Sequence, residues 1–265
     1  MKVIAIANQK GGVGKTTTAV NVAHILKKKG YDTLLIDTDQ QCNSSDTFHA
    51  ESEGVATIYD VIVEYDGNDG EGKKKLLPLD KAVQHTEFGD VVAGDRLLRD
   101  ADFVLKNDSF YGNTRLKMAL EAAKDRDFVI IDTNPTENSL LYNALVAADY
   151  VVVPLVAERY SLTGLDSFVE TIESIKEVLN PKLQYGGFLF VRYDERRILD
   201  KNMADTLLNL SEQFGVGVFN TKIRDTVRVR ESNTLRLPLL EYAPTCTASI
   251  DYEAFVEELL KKLGK

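Results

Sequence analysis

Residues 2–21 read KVIAIANQKGGVGKTTTAVN, and this stretch decides the fold. Residues 3–7 are apolar and rich in β-branched side chains, which suits a strand buried on both faces; a glycine-rich turn follows at once and opens into a helix. Gly11, Gly12 and Gly14 lack a Cβ, so the backbone can curl and aim several N–H groups inward at a polyanion. Lys15 then brings a point charge toward β- and γ-phosphates, the Thr16 hydroxyl is placed to ligate Mg²⁺, and the new helix adds the positive end of its dipole.

The phosphate-loop pattern asks for glycine, four residues, then Gly-Lys-Thr. Here Gln9 stands at the first glycine position with Lys10 beside it. A glycine-rich turn without a ligand is the alternative, but strand, loop, Gly-Lys-Thr-Thr and helix occur in the order that phosphate binding requires. Lys10 reads either as a solvated charge or as a second cation aimed at phosphate, its own or a neighbour's.

Outward from this stretch the chain alternates strands and helices. Ala19, Val22, Ala23 and Leu26 share one helical face, residues 27–29 are lysines, and Gly30 is a natural stop. An apolar strand at 33–37 implies a right-handed crossover into a parallel sheet, whose ligands sit beyond the carboxyl ends of the strands. Asp37 and Asp39 lie at that end of the second strand, either capping a turn or facing the bound phosphates. Residues 57–63 read as a short helix, 66–75 (DGNDGEGKKK) as a charged surface loop, 88–94 as a strand with its exit turn, and 114–124 as an amphipathic helix. Residues 128–132 form a buried strand ending in Asp132, a Walker B-like arrangement able to hold a water of the metal shell. Strands at 150–154 and 184–191 flank a helix at 162–179, and a last helix spans 250–263. No linker interrupts the alternation, so the expected fold is α/β: a single doubly wound, mostly parallel sheet with helices on both faces, one domain over residues 1–265.

Composition narrows the function. The 265 residues are 44% hydrophobic with a net charge of −9, which argues against broad attraction to nucleic acid or anionic lipid and restricts any DNA contact to a local patch. Arg192, Arg196, Arg197, Lys222, Arg224, Arg228, Arg230 and Arg236 form such a local enrichment, read from charge alone as a solvated or salt-bridged face. Cys42 and Cys246 have no metal-ligand spacing, which fits a reducing cytoplasm. Neither a signal peptide nor a run of about 20 apolar residues is evident.

KGGVGKTT at 10–17, LLIDTDQQ at 34–41 and VIIDTNP at 129–135 together resemble the ParA/Soj family of partition ATPases, a deviant-Walker branch of the P-loop NTPases. The resemblance runs along nearly the whole chain and implies specific roles. Lys10, Gly11, Gly12, Val13, Gly14, Lys15, Thr16 and Thr17 would bind ATP, with Lys10 crossing a dimer interface to the partner's nucleotide. Thr16, Asp37 and Asp132 would serve Mg²⁺, and Asp39 would polarise the attacking water. Arg224 and Thr226 occupy the adenine-facing Pro-Arg-Asn segment, here Arg-Asp-Thr, while Arg196 and Arg228 match arginines that bind DNA without sequence preference. Other departures are Gln40, Gln41 and Cys42 in place of Pro-Gln-Gly, and Asn134 where the family has proline.

The implied function is an ATP-dependent homodimer of a plasmid or chromosome partition system, cytoplasmic and nucleoid-associated, stimulated by a ParB-like partner. No N-terminal extension precedes the first strand, so an added operator-binding domain is not expected. A MinD-like membrane switch, an iron-protein-like reductase and a nucleotide-binding regulator with little hydrolysis are the alternatives. Acidic residues on the last helix disfavour the first, and the cysteine spacing disfavours the second.

Overall fold

A computed structural model describes residues 1–63, 65–66, 74–108, 111–121, 124–157 and 164–265. In chain order the elements are β1 (Lys2–Ile6), α1 (Lys15–Lys28), β2 (Thr33–Asp37), α2 (Asn43–Thr47), α3 (Ile58–Ile62), β3 (Tyr65–Asp66), β4 (Lys74–Lys75), β5 (Val83–His85), β6 (Asp90–Val92), α4 (Leu98–Asn107), α5 (Arg115–Leu120) and β7 (Phe128–Asp132). They continue as α6 (Ser139–Ala147), β8 (Tyr150–Val156), α7 (Leu165–Val178), β9 (Gln184–Val191), α8 (Ile198–Phe214), α9 (Val227–Leu235), α10 (Leu239–Tyr242) and α11 (Thr247–Lys262).

Seven strands form one sheet in the order β5-β6-β2-β7-β1-β8-β9, parallel except for the β5–β6 pair at one edge. The sheet is mostly parallel and doubly wound, as the apolar strands and intervening helices require. Because β1 lies between β7 and β8, the connections leaving β1 and β8 run to opposite sides of the sheet, and a crevice opens beyond the carboxyl end of β1.

Side chains alternate between the two faces. Ile4, Ile6, Leu35, Ile130, Val152 and Leu189 pack under α1 and α11 through Ala19, Val22, Leu26, Phe255 and Leu259. Val3, Ala5, Leu34, Ile36, Val129 and Ile131 pack on the other face with Leu140, Leu141, Phe168 and Ile172. Their near-complete burial explains why the strands read as continuous apolar runs.

Several boundaries differ from the sequence reading. β8 continues past Pro154 to Val156 because β9 pairs alongside it as far as Val191. α11 begins three residues before the expected 250, since Ala248 is buried on the same side as Tyr252, one turn later. The segment at 66–75 is not wholly loop, for β3 and β4 pair antiparallel at its ends; residues 67–73 lie outside the described residues. The 88–94 strand shortens to β6 and gains an edge partner in β5, whose half-polar VQH sequence carries no strand signal. The expected helix at 114–124 is observed at Arg115–Leu120, and that at 162–179 at Leu165–Val178; residues 122–123 and 162–163 lie outside the described residues. Among the described residues no helix is long and apolar enough to cross a membrane.

Candidate functional site

The loop joining β1 to α1 has the curled backbone expected from its glycines. Gly12 and Gly14 have φ of 73° and 76°, the left-handed region that glycine enters without penalty, and Gly14 caps the start of α1. The Asn8 side chain anchors the loop at its entrance: its amide donates to the Pro154 carbonyl at 2.8 Å, and its oxygen accepts the Lys10 N–H at 2.9 Å. Lys15 Nζ folds back to donate to the Lys10 carbonyl at 3.0 Å. Burial lowers the Lys15 pKa, while Asp132 and then Asp39 pull it back up.

Three carboxyl groups gather at this end of the sheet in different conditions. Asp37 and Asp132 are register partners at the carboxyl ends of β2 and β7, and both are fully buried. Asp37 accepts the Asp39 N–H at 3.0 Å, the Ser45 N–H at 2.9 Å and the Ser45 hydroxyl at 2.6 Å, so it holds the loop that follows β2. Burial nonetheless raises its pKa. Neither Asp132 oxygen has a hydrogen-bond partner among the described residues. Burial first, and Asp37 second, raise its pKa well above the ordinary carboxylate value, and the nearby Thr16 hydroxyl opposes this too weakly to offset it. An orphaned buried carboxyl beside a threonine hydroxyl fits a hydrated divalent cation, which supplies water donors and positive charge together. Asp39 faces the cavity, and its Oδ1 accepts the Gln41 N–H at 3.0 Å.

The loop after Asp39 keeps a tight turn despite its altered sequence. Cys42, where the family it resembles has glycine, takes φ 54° and ψ 28° in the left-handed region and precedes the first residue of α2. Asn134 sits in the loop after β7, where its Oδ1 accepts the Thr136 N–H at 3.1 Å.

A cavity of about 480 Å³ opens beside these groups. One wall is Gly11, Gly12, Gly14, Lys15, Thr16, Thr17 and Asp39. The opposite wall comes from the C-terminal segment: Ile223, Arg224, Asp225 and Thr226, then Val229, Arg230 and Asn233 of α9, with Val191, Arg192 and Tyr252. Arg224 lines the cavity with its guanidinium engaged, since Asp251 accepts from its Nε at 2.9 Å and its second terminal nitrogen at 2.7 Å. The Thr226 hydroxyl caps α9, accepting the Arg228 N–H at 3.4 Å.

Val13, Lys10, Asp37 and Asp132 lie outside the cavity lining. Val13 is core, so its contribution to the loop is its backbone. Arg196 and Arg228 also lie outside it. The Arg196 guanidinium forks onto Asp194, with two contacts of 2.9 Å that hold this carboxylate down to about 2, and Arg228 pairs with Glu231 at 2.8 Å. The segments bearing them are brought together by a Tyr193–Arg224 bridge and a 3.6 Å ion pair between Arg197 and Asp225.

Sequence reasoning missed Asn43, Val229, Asn233 and Tyr252, and it placed Arg230 only in a basic cluster. Thr226, Val229, Arg230 and Asn233 recur at helical spacing, and that periodicity was the available signal.

The AAA domain family matches residues 1–185. The chromosome partitioning protein ParA of Caulobacter vibrioides is 35% identical over 268 residues, covering 99% of this chain and 95% of that protein. The chromosome-partitioning ATPase Soj of Thermus thermophilus is 33% identical over 263 residues, covering 98% and 96%. The structure of cobyrinic acid a,c-diamide synthase from Mycobacterium smegmatis with bound ATP analog and magnesium superposes with a TM-score of 0.82 at 26% identity, covering 100% of this chain and 96% of that one. Identity of this extent along the whole length, and not in the phosphate loop alone, makes the chain a member of the ParA/Soj family of P-loop partition ATPases.

Proposed function

We propose that the chain is a Mg-ATP-dependent switch of a plasmid or chromosome partition system, acting as one ATPase unit over residues 1–265. The observation that carries this reading is the buried, partnerless Asp132 carboxyl next to Thr16 and Lys15, at the mouth of a curled glycine loop. Thr16 and Asp132 would hold Mg²⁺, directly and through water, and Asp37 would keep the neighbouring loop in place. The metal, when bound, neutralises phosphate charge. The N–H groups of residues 11–17 and the Lys15 ammonium grip the phosphates, and Asp39 orients a water for attack. Arg224 and Thr226 border the base end.

Lys10 is assigned to the partner's nucleotide, so that ATP joins two subunits and hydrolysis releases them. Its position just outside the cavity lining of its own chain favours this use. The dimer combines two sets of Arg196 and Arg228 on DNA phosphates, with separate contacts reinforcing one another. In each monomer these arginines are already paired with Asp194 and Glu231, so DNA must compete for them, which favours weak binding by single subunits. A ParB-like centromere-binding partner accelerates hydrolysis, and the protein works on the nucleoid in the cytoplasm.

The test combines nucleotide affinity with mass measurement in ATP and magnesium. Wild type binds and dimerises transiently, Lys15→Ala loses binding, Lys10→Ala binds but stays monomeric, and Asp39→Ala accumulates as dimer. Equal dimer content in wild type and Lys10→Ala would reject the crossing lysine, and absence of magnesium-dependent nucleotide binding by wild type would reject the whole reading.

A further inference from the structure

Two arginines on α9, Arg228 and Arg230, are both exposed and two residues apart, yet their surroundings differ. At about 100° per residue, a two-residue step on a helix turns the side chain roughly 200°, so the pair points to opposite sides. Arg228 is outside the cavity and ion-paired with Glu231 at 2.8 Å. Arg230 lines the cavity together with Thr226, Val229 and Asn233, positions spaced by three, one and three residues along one helical face.

The direction of that face is fixed by hydrogen bonds. The Asn233 amide donates to the Thr17 hydroxyl at 3.4 Å, so this part of α9 abuts the first turn of α1, directly after Lys15 and Thr16. The Asn21 side chain accepts the Leu239 N–H at 3.0 Å just beyond α9, which fixes the helix against α1 a turn further on. Arg230 is one turn before Asn233 on the same face, on the phosphate-loop side. Arg224, the other cavity arginine of the 224–233 segment, is engaged by Asp251, whereas no carboxylate among the described residues pairs with the Arg230 guanidinium. A guanidinium left without a counterion on the wall of a phosphate-binding cavity calls for an anion.

We propose that Arg230 is a nucleotide-binding residue, contacting the polyphosphate of the nucleotide held in its own subunit, and that α9 divides its two arginines between ligands, Arg230 inward to nucleotide and Arg228 outward to DNA. This inference rests on the nucleotide-switch reading and deepens it. The planar guanidinium offers paired donors to phosphate oxygens, a charge-assisted contact stronger than a neutral hydrogen bond. It adds a cation to Lys15 from a wall that the phosphate-loop motif does not encode.

The experiment measures magnesium-ATP and magnesium-ADP affinity by calorimetry for wild type, Arg230→Gln, Arg230→Lys and Arg228→Gln, at about 0.1 and 0.5 M salt, and then DNA binding at saturating ATP. Loss of one charge-assisted contact of about 1.5–3 kcal/mol predicts roughly 10- to 100-fold weaker nucleotide binding by Arg230→Gln. The deficit should be smaller in Arg230→Lys and should shrink at the higher salt, where wild type loses more of its charge contact than the variant does. DNA affinity at saturation stays near that of wild type. Arg228→Gln should show the converse pattern. Wild-type nucleotide affinity in Arg230→Gln, or a nucleotide defect equal in both variants, would overturn the assignment. Failure of wild type itself to bind nucleotide would instead refute the underlying switch reading. Thermal melts of the nucleotide-free variants guard against misfolding: an Arg230→Gln protein that melts with wild type yet binds nucleotide weakly supports the contact.

Discussion

Gly94 is the position where a single methyl group should separate nucleotide binding from turnover. It follows β6, and its N–H donates to the Ser45 hydroxyl at 2.8 Å, which in turn donates to Asp37 at 2.6 Å. A Cβ built on Gly94 would lie 2.9 Å from the Asp39 carbonyl oxygen, 3.0 Å from the Asp37 carboxyl carbon and 3.2 Å from its Oδ2. Its φ is outside the left-handed region, so alanine meets no backbone penalty and the effect is steric. The atoms it strikes are a buried carboxyl and main chain, neither of which can swing away. Overpacking of this kind destabilises by about 1–3 kcal/mol. For a chain of this size, 2 kcal/mol corresponds to a fall in Tm of about 4–8 °C. The displaced groups include the backbone of Asp39, the candidate for orienting water, and a shift near 1 Å at such a group lowers turnover on the order of 100-fold. The glycine loop and Lys15 are untouched, so ATP affinity should stay close to wild type. Circular dichroism melts, calorimetric ATP titration and a phosphate-release assay read the three quantities on Gly94→Ala. Wild-type melting together with wild-type turnover would refute the reasoning, because the contacts at Gly94 would then hold nothing in place.

Two further outcomes follow. Replacing Arg196 and Arg228 by alanine should weaken DNA binding by a similar factor on unrelated sequences, with the salt slope falling by about one per arginine removed; a loss confined to one sequence contradicts a phosphate patch. The Cys42 thiol is buried, and burial together with Asp37 pushes its pKa up to about 12, so at pH 8 it is almost wholly protonated and shielded. Disulfide-exchange labelling of the native protein should therefore modify Cys246 and spare Cys42, and Cys246→Ser should abolish the fast phase; two thiols reacting at equal rates would contradict this environment.

The strands ending in Asp37 and Asp132 and the loop ending in Thr17 were legible because their chemistry and periodicity coincide within a few residues. The bounds of β2 and β7 follow from short apolar runs, each closed by an aspartate, that a two-sided sheet must bury. What escaped depends on distant partners. Nothing near Asp132 in sequence says that its oxygens lack donors, since Ser45, which serves Asp37, reaches no such bond with Asp132. Gly94 reads as a strand exit and becomes a close-approach site through atoms more than fifty residues away in sequence. Cys42 looked like the loss of a glycine, yet the residue takes the left-handed conformation itself, at a strain of roughly 1–2 kcal/mol that the Asp37 bonds to this loop help to offset.

The two walls of the cavity also differ in how sequence specifies them. The end at the glycine loop presents main chain, one lysine and two threonines, the make-up of a compact phosphate motif, which can be short because phosphate has the same charge and shape in every nucleotide. This end lies wholly within residues 1–185, the span matched by the AAA domain family. The facing wall comes chiefly from residues 191–252 and is built from side chains on α9, α11 and the strand exits, which are joined to one another by pairs such as Arg224–Asp251 and also to α1. Thr17 meets Asn233, Thr18 meets Tyr252 at 3.3 Å, Asn21 meets Leu239, and His24 meets Glu241 at 2.8 Å, four contacts within about two turns of α1. The helix that begins at the phosphate loop thus serves as the template on which the second wall is positioned. Substitutions in that wall can alter ligand preference without disturbing the loop, provided these four contacts persist, whereas a change in α1 reaches both walls at once.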